Sequence, residues 1–176
     1  MADFNKNLWA PWRMEYIRSL ANEEQEEGCF LCHYWQHHEN DTANHVLWRT
    51  ESVLVVLNRF PYTNGHLLIA PHRHTGEFSA LNNEELIDLT NATRDAIAVL
   101  SQAFAPQGFN VGYNIGRCAG AGLPDHLHAH IVPRWNGDTN YMAVLGGIRV
   151  IPDALDATYD QLVQIAETSG FRSQNQ

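Results

Sequence analysis

Histidine alternates with apolar residues along residues 126–132, and no other feature of the chain restricts its local folding as much. In a β-strand, side chains at every second position share one face. His126, His128 and His130 would then line one surface, while the residues between them enter a core. A lone surface histidine is usually incidental to function. Three on one face, beside a glycine-rich loop, predict a site with chemistry.

Strand and helix patterns flank this run on both sides. The predicted strands cover residues 45–49, 53–58, 66–70, 109–115 and 127–133. The predicted helices cover residues 14–26, 83–105 and 153–169; the second is the longest, with Asn82 or Asn83 as its N-cap. Because strands stand before and after a long helix without regular alternation, we expect an α+β domain with a mainly antiparallel sheet.

Size and charge limit the classes of partner. A chain of 176 residues with 44% hydrophobic residues suits one compact domain. Acidic residues outnumber Lys and Arg by 20 to 11, and no basic cluster marks a nucleic-acid interface. An acidic ligand such as a nucleotide must therefore be held by a local site. No apolar stretch approaches the ~20 residues that span a bilayer, and residues 1–8 lack the apolar core of a secretory signal, so we expect a cytoplasmic protein with no membrane partner.

His128 is the candidate nucleophile in the histidine row. A neutral imidazole nitrogen can attack phosphorus at physiological pH, because its reference pKa is about 6.5. The resulting phosphoramidate is labile enough to be cleaved in a second step. Since His128 is central, its neighbours could orient its other nitrogen or donate to charge on the leaving oxygen.

A glycine-rich loop at residues 116–122 precedes the histidine row. Glycines let backbone N–H groups approach phosphate oxygens closely. Such a loop is more often a plain turn, but its place beside the histidines favours phosphate binding.

Cys29 and Cys32 have the spacing found in structural zinc sites, which need four nitrogen or sulfur ligands. The chain has three cysteines and no second pair of this kind, so the other two ligands would be histidines. Spacing alone leaves six candidates open: His33, His37, His38, His72, His74 and His126. The alternative is a pair of reduced structural cysteines without a metal.

Residues 126–132 read H-L-H-A-H-I-V, which matches the signature of the histidine triad (HIT) superfamily of nucleotide hydrolases and transferases. Residues 57–67, L-N-R-F-P-Y-T-N-G-H-L, resemble the nucleoside-binding segment of the branch that contains dinucleoside polyphosphate hydrolases. Residues 8–17 and 133–141 resemble bacterial diadenosine tetraphosphate phosphorylases. The likeness covers most of residues 8–152, and the chain is identified as a member of the superfamily.

The resemblance implies roles for individual residues. His128 would take an adenylyl group from the α-phosphate, and phosphate or water would then attack the covalent intermediate. His130 would bind the phosphate or the leaving group, and His66 would support the site from the neighbouring strand. Asn58 would hold the ribose hydroxyls, and Asn114 would contact the α-phosphate region together with the loop. The loop residues concerned are Gly116, Arg117, Gly120 and Gly122.

The resemblance also implies the zinc ligands, which would be Cys29, Cys32, His74 and His126. With four protein ligands the zinc would be structural, and His126 would anchor the catalytic strand. At Gly122, four residues before His126, the chain departs from relatives that carry a glutamine or serine touching the scissile phosphate. Either a backbone N–H or a neighbour such as Arg117 compensates, or the leaving-group preference differs.

The fold implied by the resemblance is a HIT-like domain with a five-stranded, mainly antiparallel sheet, a long helix and a C-terminal helix. It would dimerise into a continuous sheet, so we expect a homodimer. A single domain would cover residues 1–176, with an N-terminal docking extension at 1–28, a core at 29–152 and a C-terminal helix and polar tail at 153–176.

Three functions follow from these expectations. The first is phosphorolysis of diadenosine tetraphosphate to ADP and ATP through an adenylyl-histidine, with inorganic phosphate as second substrate. The second is hydrolysis of dinucleoside polyphosphates or of AMP conjugates such as phosphoramidates. The third is a zinc-containing nucleotide-binding protein with vestigial activity.

Overall fold

The computed structural model describes residues 28–139 and 151–172. The predicted helix at residues 14–26 lies outside these ranges. The described helices are α1 (Phe30–Gln36), α2 (Asn83–Phe104) and α3 (Leu155–Thr168). The described strands are β1 (Val46–Arg49), β2 (Val53–Leu57), β3 (Leu67–Pro71), β4 (Gly108–Tyr113) and β5 (Ala129–Arg134).

The strands form one five-stranded sheet in the order β1-β2-β3-β5-β4. Each neighbouring pair is antiparallel, which confirms the predicted α+β architecture. The central strands β2 and β3 are buried at every position, whereas β4 lies at an edge and is largely exposed. The histidine strand β5 therefore lies between a buried strand and an accessible one.

The two faces of the sheet bury different clusters. One face packs beneath α2 and α3, where Ile69 and Ile131 join the main core. The other face buries Leu68 and Leu54 against Leu31 of α1 in a smaller cluster. Because side chains alternate along a strand, β2 and β3 each supply both clusters, whereas Ala129 and Ile131 of β5 belong to the main core.

The start of α2 matches its sequence pattern. The Asn82 side chain accepts a hydrogen bond from the Glu85 backbone N–H at 2.9 Å, and the Glu85 carboxylate accepts one from the Asn82 N–H at 2.8 Å. This reciprocal capping box satisfies two donors at the helix terminus.

Neither α2 nor any other helix in residues 28–139 and 151–172 combines the length and apolarity needed to cross a membrane.

The segment before β5 follows a different path from the one expected. Regular strand pairing begins at Ala129, two residues later than predicted, because the Leu127 N–H donates to the carbonyl of Thr75 at 2.7 Å. Gly76 approaches the same segment so closely that a Cβ there would lie 2.2 Å from the Pro124 carbonyl oxygen. The chain entering the histidine strand is thus fixed against residues 75–76.

Candidate active site and metal centre

The three histidines lie on the face of the sheet opposite α2 and α3. Leu127 and Ala129, which separate them, belong to the core beneath those helices. His126 and His128 are 1% and 6% exposed, and His130 is half-buried. The alternation therefore separates core residues from histidines, although regular strand structure reaches only His130.

His128 has a defined protonation pattern. Its Nδ1 lies 2.9 Å from the carbonyl oxygen of His126. A carbonyl can only accept, so Nδ1 carries the proton and Nε2 keeps its lone pair. Burial lowers the pKa of His128, which favours the neutral ring. The structure thus holds this imidazole in the form that can act as a nucleophile.

The hydrogen bonds of His66 and His130 define which ring nitrogen of each histidine carries the proton. The backbone N–H of Tyr62 donates to Nδ1 of His66 at 3.0 Å, so the proton of neutral His66 is on Nε2. This Nε2 lies 3.0 Å from Nδ1 of His130 and donates to it. His130 therefore carries its own proton on Nε2.

Two asparagines complete this group of side chains. The amide nitrogen of Asn114 lies 3.3 Å from Nε2 of His130. Because Nε2 also carries a proton, Asn114 and His130 present two donors side by side that can bind the same ligand. Asn58 contacts Nδ1 of His66 at 3.2 Å through its amide nitrogen, and its oxygen accepts the N–H of Phe60 at 3.0 Å. The structure thus brings Asn58, His66, Asn114 and His130 into one cluster.

His130 is held neutral more strongly than an ordinary histidine. Burial, with a smaller contribution from His128, lowers the pKa of His130 to about 4. The Tyr62 ring stacks over His130 with centroids 5.8 Å apart and planes 16° apart. The ring of His128 makes an edge contact with His130, with centroids 4.9 Å apart.

The glycine-rich loop contains a 3-10 turn at Arg117–Ala119. The N–H groups of Ala119 and Ala121 donate to the Gly116 carbonyl, and that of Gly120 donates to Arg117. Gly116 and Gly120 have φ values of 81° and 90°, which glycine adopts without strain. Three N–H groups thus serve the loop itself, and a bound phosphate would use others.

Gly122 is not required by packing or by backbone conformation. A Cβ at this position would meet nothing within 4 Å, and its φ lies outside the left-handed region. The chain therefore has room for the side chain that relatives carry here. Arg117, the alternative phosphate contact, is exposed on the loop.

The four implied metal ligands come together. The ligand atoms of Cys29, Cys32, His74 and His126 all lie within 4.8 Å of one another. Cys29 Sγ is 3.1 Å from Nδ1 of His126, and Cys32 Sγ is 3.3 Å from Nδ1 of His74. A tetrahedral zinc ion would set sulfur–nitrogen separations of about 3.5 Å. The cluster is therefore able to bind a metal, with two sulfur and two nitrogen donors.

The second nitrogen of His126 supports this arrangement. Nε2 of His126 lies 2.8 Å from the carbonyl oxygen of Pro71, so it carries the proton and leaves Nδ1 for the metal.

Burial and the neighbouring Cys29 raise the pKa of the Cys32 thiol to about 11. A divalent cation at this site would reverse that shift by stabilising the thiolate.

The remaining candidate histidines lie elsewhere. His72 stacks on Trp35 with centroids 4.3 Å apart, and His33 packs against His37 at 4.4 Å. Across the described ranges, the only group of three or more metal-binding side chains is the one built from two cysteines and two histidines. The structure thus selects His74 and His126 from the six histidines that spacing left open.

Sequence reasoning did not single out Tyr62. Its backbone sets the tautomer of His66, and its ring covers His130. Tyr62 lies within the segment at residues 57–67 that resembles a nucleoside-binding region. No pattern within that segment distinguishes this tyrosine from its neighbours.

Comparison with known proteins gives consistent relatives. The HIT domain family matches residues 39–137. The chain is 38% identical over 156 residues to a Mycobacterium tuberculosis protein named AP-4-A phosphorylase, covering 87% of this chain and 80% of that one. It is 33% identical over 96 residues to the asymmetrical bis(5'-nucleosyl)-tetraphosphatase of Schizosaccharomyces pombe, covering 54% of this chain and 52% of that one.

Solved structures share the fold. A zinc-bound histidine triad family protein from Mycobacterium smegmatis superimposes with a TM-score of 0.63 at 23% identity. The match covers 82% of this chain and 98% of that one.

Proposed function

This chain belongs to the HIT domain family, and we propose that it transfers adenylyl groups from diadenosine polyphosphates, with phosphorolysis of diadenosine tetraphosphate to ADP and ATP as its reaction. The observation that carries the proposal is the bond from Nδ1 of His128 to the His126 carbonyl, which leaves Nε2 as an unprotonated nucleophile. The relative named AP-4-A phosphorylase supports the choice of substrate.

In the first step, Nε2 of His128 attacks the α-phosphorus and the bond to the bridging oxygen breaks. The electron pair of that bond leaves with ATP, and the adenylyl group remains on Nε2. Because Nδ1 keeps its proton, the adduct ring carries a positive charge that the His126 carbonyl stabilises. That charge makes the adduct reactive towards a second nucleophile.

His130 would stabilise the leaving oxygen by a hydrogen bond rather than by transferring a proton. Its Nε2–H is directed by the donation from His66, and its low pKa makes a positively charged ring rare at neutral pH. A terminal phosphate has a pKa of about 6, so a polyphosphate can leave as an anion without full protonation. This favours polyphosphate leaving groups over the amines of phosphoramidates.

In the second step, inorganic phosphate attacks the adenylyl group and forms ADP. By microscopic reversibility, that phosphate occupies the position from which the β-phosphate of the leaving group departed. The same donors, His130 Nε2–H and the Asn114 amide, would therefore bind it. Water in this position would give AMP instead.

The remaining contacts follow the family pattern. Asn58 would hold the ribose hydroxyls, and Asn114 would lie near the α-phosphate. The loop residues proposed to complete the phosphate contacts are Gly116, Arg117, Gly120 and Gly122.

We propose zinc as the metal of the four-ligand cluster. When bound, it would supply a structural link rather than reaction chemistry, because four protein donors fill a tetrahedral site. Cys29, Cys32, His74 and His126 would hold it, and His126 would carry its carbonyl to His128 in a fixed position. We also propose that the chain forms one domain and acts as a homodimer.

Product analysis tests the reaction. Purified protein is incubated with diadenosine tetraphosphate, with and without inorganic phosphate, and the nucleotides are separated. We expect ADP and ATP that form only when phosphate is present. AMP and ATP formed without phosphate would instead establish the hydrolase, which the similarity to the tetraphosphatase favours as second candidate.

The His128→Ala variant separates both enzymes from the third candidate, a nucleotide-binding protein with vestigial activity. If every nucleotide-dependent activity of the wild type survives in the folded variant, the catalytic proposal fails.

A further inference from the structure

A cavity of about 860 Å³ lies beside His130. His130 and Asn114 line it, whereas His128 and Asn58 are not among the described residues that do. Small-molecule pockets typically measure about 300–1,000 Å³, so the cavity is large enough for a nucleoside. The cavity therefore adjoins the proposed leaving-group contacts.

Gly112 of β4 lines this cavity directly opposite His130. Paired residues on antiparallel strands share a face, so a side chain at position 112 would extend beside His130. A Cβ there would meet nothing within 4 Å, and its φ is not one that requires glycine. Glycine is unfavourable within a strand and often marks the close approach of a ligand. The absence of a side chain at Gly112 leaves the cavity open.

The charges in the cavity wall are balanced. Arg134 binds the Asp138 carboxylate through Nε at 2.5 Å and through Nη2 at 2.8 Å. Its Nη1 also donates to the Asn110 side-chain oxygen at 2.6 Å. Because Asp138 neutralises this guanidinium, the described residues of the wall carry no net positive charge that would attract phosphates. The cavity therefore suits an uncharged polar ligand.

The other wall residues fit a nucleobase. Trp135 and Tyr62 contribute aromatic side chains, and Asn64 contributes an amide. Aromatic side chains bind bases by stacking without requiring a particular base. Polyphosphate contacts at His130 and Asn114 would lead directly into this aromatic region.

We infer that the cavity holds the second nucleoside, which departs with the polyphosphate, and that Gly112 determines selectivity by leaving room for it. The inference rests on the proposed function, since it assigns the leaving half of the same dinucleotide. The site would thus recognise both ends of a dinucleoside polyphosphate.

Equilibrium binding tests this assignment without turnover. In a His128→Ala background, calorimetry compares the affinity for diadenosine tetraphosphate with that for ATP, which has a polyphosphate but no second nucleoside. We expect the dinucleotide to bind more tightly. Adding Gly112→Val should reduce its preference over ATP by about tenfold, the scale of one lost stacking interaction.

Gly108→Val is the matched control. Gly108 lies on the same strand, a Cβ there also meets nothing within 4 Å, and it does not line the cavity. The preference for the dinucleotide should change by less than about twofold, as for an ordinary surface substitution. If Gly112→Val does not fold, the smaller Gly112→Ala carries the test with an effect in the same direction.

Two results would overturn the inference. The first is that His128→Ala protein binds diadenosine tetraphosphate no more tightly than ATP. The second is that the folded Gly112 variant loses affinity for both ligands by the same factor. Turnover by the wild type is measured separately. Selective binding without cleavage would refute the proposed reaction and retain the cavity assignment. If the wild type cleaves the dinucleotide but Gly112→Val leaves the binding preference over ATP unaltered, the proposed reaction stands and the cavity assignment fails.

Discussion

Nε2 of His66 lies 3.0 Å from Nδ1 of His130, and this contact determines which nitrogen of His130 faces the site with a proton. The protonation pattern is set by the backbone N–H of Tyr62, which donates to Nδ1 of His66. Because Nδ1 accepts this hydrogen bond, the proton of neutral His66 must be on Nε2. A backbone group thus fixes the tautomers of two side chains in succession.

Replacing His66 should lower turnover by releasing His130. In His66→Leu, Nδ1 of His130 loses its donor, and we expect kcat to fall about tenfold, the cost of one buried hydrogen bond. His66→Gln is the matched control, because its amide can still donate; it should retain more of the rate. Steady-state kinetics on both variants checks this, and equal kcat in the two would contradict the tautomer argument.

Removing the nucleophile should abolish the covalent step. We expect His128→Ala to lose more than about 1,000-fold in kcat, because the adenylyl group then has no acceptor nitrogen. Mass spectrometry of acid-free quenched wild type should detect an adenylyl adduct on the peptide containing His128. An adduct that persists in the folded variant would place the nucleophile elsewhere.

Stability should decrease as the pH falls below the usual pKa of histidine. Folding lowers the pKa of His130 from about 6.5 to about 4, chiefly through burial and then through His128. Between these values the unfolded chain binds a proton that the folded chain does not, so acid favours unfolding. The stability associated with neutral His130 is complete above pH about 6.5 and is lost towards pH 4.

Urea unfolding at several pH values between 4.5 and 7 measures this dependence as the slope of unfolding free energy against pH. His130→Asn removes the titrating ring and should make the unfolding free energy less dependent on pH. Some dependence should remain, because the pKa of the neighbouring His128 is also lowered by burial. Identical slopes for wild type and variant would show that His130 titrates normally.

The metal site should bind about one zinc ion per chain. Elemental analysis of protein purified without chelator should show this, and Cys32→Ser should lose both the zinc and several degrees of Tm. Cys118→Ser is the matched control, because Cys118 is exposed and outside the cluster. Wild-type protein without zinc, or equal zinc in both variants, would count against the assignment.

The edge strand β4 should pair with that of a second copy. It carries Val111, 47% exposed, at an edge of the sheet, with Ile115 just beyond it and 52% exposed. We expect light scattering to give a dimer and Val111→Lys to shift it towards monomer, because a lysine blunts an exposed edge. Glu51→Lys, in the turn between β1 and β2, is the charge control. A monomeric wild type would exclude the homodimer.

The sequence predicted the elements whose signals are local. Alternation at residues 126–132 separates Leu127 and Ala129 from the histidines, and Asn82, one of the two predicted N-caps, marks the start of α2. Such signals depend on neighbours within one turn or one strand. They therefore indicate which residues point together, but not what those residues meet.

Other features depend on contacts between distant segments. The late start of β5 follows from Thr75, which takes the N–H of Leu127, and from Gly76, whose missing side chain admits Pro124. The role of Tyr62 likewise requires knowing that its ring covers His130. Spacing along the chain contains none of these distances, so the choice of His74 and His126 as metal ligands needed the family resemblance before the structure brought the four side chains together.

The four-ligand cluster has a consequence for how the chain folds. Cys29 and His126 are 97 residues apart, and Cys32 and His74 are 42 apart. Because these segments meet in the folded chain, a metal that joins them would bind the folded state and stabilise it against unfolding. The ion would act as a reversible cross-link whose strength follows metal supply, and scarcity would first appear as a larger unfolded population.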